Sequence, residues 1–386
     1  MNLITQQSEL AAFCASVADG RYITVDTEFI RDKTYFPKLC LLQIAGIDQA
    51  AVIDPLAEGI DLEPVFALLQ KPELIKVFHA ARQDFEIFHL LSGKIPFPVF
   101  DTQIAAAVCG YGESVSYETL VNNIVGVEVD KSSRFTDWSA RPLSEQQLNY
   151  ALSDVTHLRV IYEDLTLKIE GTGRNAWIAE EHARLIDPAI YQVDPYDAWK
   201  RLKYGNMRPK HLAALRELAQ WREIEARKQD VPRGRIIKDE TLVELASLMP
   251  RKESDLARMR GIDKHMSKSK TEAIMACVQA ALALTPADFP QVKNHRKSSE
   301  NITSAVAMLQ LLLKVKADVH GIASSMIAGK DDMETIALGK TDTPVLQGWR
   351  YEIFGQHAQA LMQGKLKLSL NAKSRQVIFE EKADAE

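Results

Sequence analysis

"YITVDTEF", residues 22–29, reads as a β-strand carrying two acids, Asp26 and Glu28, one residue apart. Side chains alternate across a strand, so residues i and i+2 share a face and the two carboxylates point the same way. Ile23, Val25 and Thr27 take the other face, and their β-branched side chains suit an interior strand of a packed sheet. Two like charges side by side on a buried element raise each other's pKa and destabilise the fold unless cations or donors compensate. An isolated D-x-E fits an exposed edge strand equally well, so the rest of the chain has to decide.

Outward from this stretch, strand-like and helix-like patterns alternate. "YITVDTEF", "KLCLLQIAG" and "AAVID" fit a three-stranded antiparallel meander. A helical pattern follows over residues 62–69, then a short strand "IKVFH" and a helix over about 80–91. A long helix is predicted over 144–165, opened by Pro142 and by Ser144 with Gln147 three residues on, a capping box. Strands mixed with helices in this order indicate an α/β domain. After "IDPAIYQVDP" (186–195) the strand signals fade and helices dominate to about residue 365. There, "QDVPRGRIIKDETLVELASLMP" and "ADVHGIASSMIAGKDDMETIALG" each leave a long helix through a short turn and re-enter a helix near an acid, Asp239 or Asp331. Their offset of about 90 residues points to a duplicated small helical domain, with residues 285–301 as connector.

A chain of 386 residues exceeds the roughly 250–300 at which single cores stop growing, so more than one core is expected. No apolar run approaches the roughly 18–20 residues that span a bilayer, and the N-terminal stretch has no basic segment followed by an apolar one. The expected location is therefore the cytoplasm, with no membrane association. Cys14, Cys40, Cys109 and Cys277 are scattered without a C-x-x-C pair, which argues against a zinc site or a disulfide framework. The net charge of −5 is unevenly spread: residues 1–190 carry −12, residues 191–297 carry +8 and residues 298–386 carry −1. That division suggests an acidic module with metal-binding capacity joined to one suited to a polyanion.

Further acids answer the pair on the strand. In "FHAARQDFEIFHLL" an apolar stripe runs through Val77, Ala81, Asp84, Phe88 and Leu91, which puts Asp84 in a core-facing slot. A carboxylate there costs several kcal/mol of desolvation unless it is paired or ligates a metal. In "NYALSD", Tyr150 and Asp154 stand at i and i+4 beside the stripe of Leu148, Ala151, Val155 and Leu158. One strand and two helices can thus converge on an acidic pocket. Mg²⁺ or Mn²⁺ takes carboxylate oxygens, and a pair of such ions suits displacement at a phosphodiester. Neither a P-loop nor G-x-G-x-x-G occurs, which removes the main support for nucleotide-hydrolysing and dinucleotide-binding readings.

The stretches "VDTEFIRDKTYFPKLCLLQIA", "VFHAARQDFEIF", "FDTQIAA" and "SSRFTDWSARPLSEQQLNYALSDVTHL" together resemble the bacterial ribonuclease D family, ribonuclease-H-like 3′ to 5′ exonucleases with four acids and a tyrosine. "LAALRELAQWREIEARKQDVPRGRIIKDETLVELA" resembles the helical HRDC domain shared with certain helicases. The resemblance implies an α/β ribonuclease-H-like exonuclease domain, a mixed sheet flanked by helices, over 1–190. Two all-α HRDC-type domains follow over 205–288 and 298–372, and then a tail over 373–386. It also implies two bound Mg²⁺ or Mn²⁺ ions, with Zn²⁺ able to occupy the sites in a crystal. Asp26 would bridge both ions, Glu28 and Asp154 complete the water-activating site, Asp84 hold the second ion through water, and Tyr150 orient the water. A phenol with an ordinary pKa of about 10 is a poor base at neutral pH, which favours that guiding role.

Phe29 and Gln103 would neighbour the terminal nucleotide, and His79 would pack nearby rather than ligate. Arg222, Lys228, Arg233, Arg235 and Lys238, with a second group at Lys264, Lys268 and Lys270, are basic residues able to contact phosphates without reading sequence. The implied substrate is RNA with a free 3′ end, transfer-RNA precursors among them, with no obligate protein partner. The alternatives are a DNA-directed 3′ to 5′ exonuclease with the same site and a non-catalytic RNA-binding protein.

Overall fold

The chain enters through a two-residue strand, β1 (Leu3–Ile4), and a helix, α1 (Gln7–Val17), before the acid-bearing strand β2 (Tyr22–Ile30). Then follow β3 (Lys38–Ala45), β4 (Ala50–Ile53), α2 (Glu63–Leu69), β5 (Ile75–Phe78), α3 (Arg82–Ser92), β6 (Val99–Asp101), α4 (Thr102–Val108) and α5 (Tyr117–Leu120). The six strands form one sheet in the order β1-β4-β3-β2-β5-β6. β3 and β4 pair antiparallel, whereas β1 with β4, β2 with β5 and β5 with β6 pair parallel, so the sheet is mixed. The expected meander supplies its middle. β1 and β6, at two and three residues, are too short to show a period in the sequence. The computed structural model describes residues 3–130, 132–134, 136–192, 194–256, 259, 261–262, 266–291 and 302–381.

Because β2 is interior, Tyr22 through Val25 are all buried, and the opening alternatives resolve in favour of a packed strand. Helix α6 (Glu145–Thr172) packs Leu158 against Tyr22 and Val77 of the sheet, and its Ile161 and Leu165 cluster with Ala105, Val108 and Leu120. The predicted capping box of Ser144 and Gln147 opens it. Thr24 Oγ1 donates to the Val155 carbonyl at 2.7 Å, which ties β2 to this helix. The stripe expected on α3 needs correction. Val77 belongs to β5 and Leu91 is 48 % exposed, while the buried residues of the helix are Asp84, Phe85, Ile87 and Phe88. α7 (Asn175–Leu185) completes this region.

The structure separates into two compact units, one of Met1–Glu28, Cys40–Asp187 and Arg296–Glu386, the other of Phe29–Leu39 and Pro188–His295. The second unit holds α8 (Pro209–Gln229), α9 (Arg233–Ile236), α10 (Asp239–Leu248), α11 (Glu253–Leu256) and α12 (Lys268–Ala283) around Leu215, Leu218, Leu242, Leu245, Ile274 and Val278. In the first unit, α13 (Thr303–His320), α14 (Ser324–Ile327), α15 (Lys330–Ala337), α16 (Gly348–Arg350) and α17 (Gln356–Met362) surround Leu309, Leu312, Phe354 and Ala358. One region runs α8, a left-handed Asp230, α9 and α10, and the other runs α13, a left-handed Gly321, α14 and α15.

The C-terminal part departs from the expectation of helices and then a tail. β7 (Leu366–Leu370) and β8 (Val377–Glu381) pair antiparallel as a hairpin. The signal was present in "LKLSL", an apolar/polar alternation of strand period. Lys264 and most of the 285–301 connector lie outside the described residues.

Candidate active site

Asp26 and Glu28 leave β2 on one face and Asp154 enters from α6, so that one carboxylate oxygen from each lies within 4.8 Å of the others. Asp154 is 7 % exposed, and its Oδ1 is buried without a hydrogen-bond partner among the described residues. Asp84, equally buried, stands beside this trio: its Oδ1 accepts a hydrogen bond from Thr27 Oγ1. Thr27 alternates to the other side of the strand from Asp26 and Glu28, so the middle residue of D-x-E reaches the fourth acid.

Among the described residues, none of the four acids forms an ion pair. Burial therefore sets their protonation. It pushes Asp26 up to about 6. With the charges of Asp26, Asp154 and Asp84 added, it pushes Glu28 up to about 9. Burial first, and the charge of Asp26 second, raise Asp84 and Asp154 well above the usual carboxylate range. Burial and the neighbouring Asp154, Glu28 and Asp26 also raise the Tyr150 phenol, which stays protonated at neutral pH. An all-oxygen trio with an orphaned buried oxygen and no counter-cation fits a hard divalent ion.

Asp26, Asp154 and Tyr150 line a cleft of about 400 Å³ whose walls also include His79, Gln103, Tyr117 and Arg134. Gln103 is held there by donating Nε2 to the Val115 carbonyl at 3.1 Å. His79 Nδ1 lies 3.0 Å from Thr102 Oγ1, in agreement with a packing role. Phe29 follows Glu28 on β2 and is half-buried.

In the second unit the expected phosphate contacts divide. Arg233 is occupied: it donates to both carboxylate oxygens of Glu223 and to Tyr35 Oη at 3.0 Å, and its guanidinium lies 4.7 Å from the Tyr35 ring centre. Buried Glu223 needs that cation, which corrects the expectation that Arg233 faces substrate. Arg235 and Lys238 are exposed and line a cleft of about 720 Å³ with Trp221, Ser267 and Lys270.

Several supporting residues were not singled out from the sequence. Besides Thr27, Tyr117 donates its hydroxyl to the Asp154 carbonyl at 2.7 Å and so holds the helical turn that carries Asp154. Asp101, 2 % exposed, caps α4 by accepting from Gln103 N at 2.8 Å. It also accepts from Ala81 N at 2.8 Å and Ala80 N at 3.2 Å, just before α3, where Ala80 adopts a left-handed φ of 58°. Arg141 forks onto Asp54 with two contacts of 2.7 Å, which anchors the loop whose Trp138 lies 6.0 Å from the Tyr150 ring. The only sequence signals were an acid in "FDTQIAA" and an arginine in "SARP", neither of which announces a distant partner.

Comparison with known proteins agrees with this geometry. A 3′-5′ exonuclease family matches residues 1–170 and the HRDC domain family matches residues 211–278. The chain is 44 % identical to ribonuclease D of Granulibacter bethesdensis over 97 % of its own length and 96 % of the relative's. It is 45 % identical to ribonuclease D of Jannaschia sp., covering 97 % and 98 %. The crystal structure of Escherichia coli RNase D, described as an exoribonuclease involved in structured RNA processing, superposes with a TM-score of 0.84 at 30 % identity, covering 94 % of this chain and 99 % of that one. With convergent acids on an exonuclease fold and relatives matched over nearly the whole chain, this protein belongs to the ribonuclease D family of 3′-5′ exoribonucleases.

Proposed function

We propose that the chain removes nucleoside 5′-monophosphates one at a time from RNA with a free 3′ end, transfer-RNA precursors among its substrates, using two Mg²⁺ or Mn²⁺ ions in the cytoplasm. The observation that carries the proposal is the trio of Asp26, Glu28 and Asp154, which converges with no counter-cation among the described residues. Asp26, Glu28 and Asp154 would hold one ion, and Asp26 with Asp84 the second. When bound, such ions supply Lewis-acid neutralisation of the scissile phosphate and acidify water. Residues 1–190 would form the catalytic domain, with helical domains over 205–288 and 298–372.

The chain's own residues bind and orient. Tyr150, protonated at neutral pH, would aim the attacking water by hydrogen bonding rather than take its proton. Water oxygen bonds to phosphorus and the bond from phosphorus to O3′ breaks. The departing O3′ gains a proton, leaving a new 3′-hydroxyl on the shortened RNA and a 5′-monophosphate. Gln103 on the cleft wall, and Phe29, would neighbour the terminal nucleotide. Arg235 and Lys238 would contact RNA phosphates without reading sequence.

The test is 5′-labelled single-stranded RNA and DNA incubated with Mg²⁺, with EDTA, and with Asp26→Asn. A ladder shortening from the 3′ end, on RNA only and lost in both controls, is expected. Equal cutting of DNA would overturn the RNA assignment, and no cutting with either metal would overturn the enzyme.

A further inference from the structure

We propose that the hairpin of β7 and β8 is a docking surface for the phosphate backbone of RNA, an inference that rests on the substrate class proposed above. Its base is fixed in the core of the C-terminal helices. Leu366 is 3 % exposed, and the Phe379 ring lies 4.1 Å from Lys316 Nζ and 5.4 Å from the His357 ring. Its tip is ordered by its own backbone. Asn371 Oδ1 accepts from Lys373 N at 3.0 Å and from Ser374 N at 3.1 Å. Arg375 N donates to the Asn371 carbonyl at 2.8 Å, and Asn371 N donates to the Gln376 carbonyl at 2.9 Å.

This frame presents Lys365, Lys367, Lys373 and Arg375, all exposed and none in an ion pair among the described residues. Against them, among the described side chains, stands Glu380, opposite Lys367 in register. Arg375 adopts a left-handed φ of 54°, a conformation that glycine or asparagine takes at less cost. Ordinary solvation accounts for exposed lysines but not for a cation held at a strained position. Such strain persists where it serves a function. The partner follows from charge: residues 1–190, which carry the acidic site, have a net −12, so a polyanion reaching that site gains from cations held elsewhere on the chain.

The experiment uses the full chain with Lys373→Glu/Arg375→Glu and, separately, Arg375→Gly. Two probes are used: a long stem-loop RNA with a single-stranded 3′ extension, and a short oligoribonucleotide. For the double variant, affinity for the long RNA should fall about tenfold at low salt, and the slope of log K against log salt should drop by about two, one per lost phosphate contact. Hydrolysis of the short oligomer should stay within about twofold, since it makes no contact beyond the cleft. Arg375→Gly should lower the slope by about one while the thermal midpoint holds or rises, because strain and charge are removed together. Unchanged affinity and slope in variants that fold like wild type would overturn the proposal. The binding measurement needs no hydrolysis. Failure of the exoribonuclease reading would show separately, as wild type that leaves the short oligomer intact.

Discussion

Glu223 and Glu28 are both carboxyl groups withdrawn from water, yet their surroundings push them in opposite directions. Glu223 is 1 % exposed in the second unit. Burial raises its pKa, but hydrogen bonds from Arg233 and Tyr35 and the charges of Arg233 and Arg227 outweigh burial and hold it at about 2. Glu28 has no such partner, and burial with three neighbouring acids pushes it to about 9. Desolvation is common to both; the source of the compensating cation differs. Arg233 and Arg227 supply it to Glu223, whereas among the described residues none supplies it to Asp26, Glu28 and Asp154.

The largest expected effect comes from removing the acid central to the unbalanced cluster. Asp26→Asn should reduce RNA hydrolysis by at least about 10³-fold and raise the thermal midpoint of the metal-free protein, since it relieves repulsion while deleting a ligand. Retained activity, or a lower midpoint in EDTA, would break the contrast with Glu223. At the balanced cluster the sign of the stability effect reverses. Glu223→Gln leaves Arg227 and Arg233 without their carboxylate and should cost about 3–5 kcal/mol in urea unfolding, as breaking a buried pair does.

The two clusters should also give opposite pH slopes. The folded-state pKa values of Asp26 and Glu28 lie above their unfolded values, so protonation favours the fold. That contribution is complete below about pH 4 and is lost as pH rises through about 6 and then 9. Glu223, depressed to about 2, stabilises above its unfolded pKa and loses that contribution as pH falls toward 2. Urea midpoints between pH 5 and 8 should fall with pH in EDTA and flatten in Mg²⁺; identical profiles in both would contradict metal compensation. The smallest effect is expected at Thr27. Thr27→Val should lower kcat about tenfold with little change in KM and weaken Mn²⁺ binding measured calorimetrically, and Thr27→Ser should restore both. Wild-type Mn²⁺ binding in the valine variant would assign the hydroxyl to packing alone.

What could be read in advance followed the regular periods of local structure. Asp26 and Glu28 had to share a face because a strand repeats every two residues, and Tyr150 and Asp154 had to lie together because a helix turns in 3.6. The Ser144–Gln147 box was legible because both partners lie within one turn. Thr27, Asp101, Tyr117 and Arg141 were not legible as supports, since each meets a partner 20 or more positions away: Asp84, Ala81, Asp154 and Asp54. Arg233 shows the converse case. Its positive charge was plain, but its engagement with Glu223 and Tyr35 depends on how the 29–39 segment packs within the second unit.

By itself, the sequence determined which acids exist, the face of each element that carries them, and the alternation of strands and helices that indicates an α/β domain. Only the tertiary structure decided that three of the acids share a cluster with no cation among the described residues, that Asp84 is tied to Thr27, and that the C-terminal residues fold into a hairpin. The reason is that periodicity is a property of neighbouring residues, whereas compensation of a buried charge depends on groups that meet only after the chain has closed on itself.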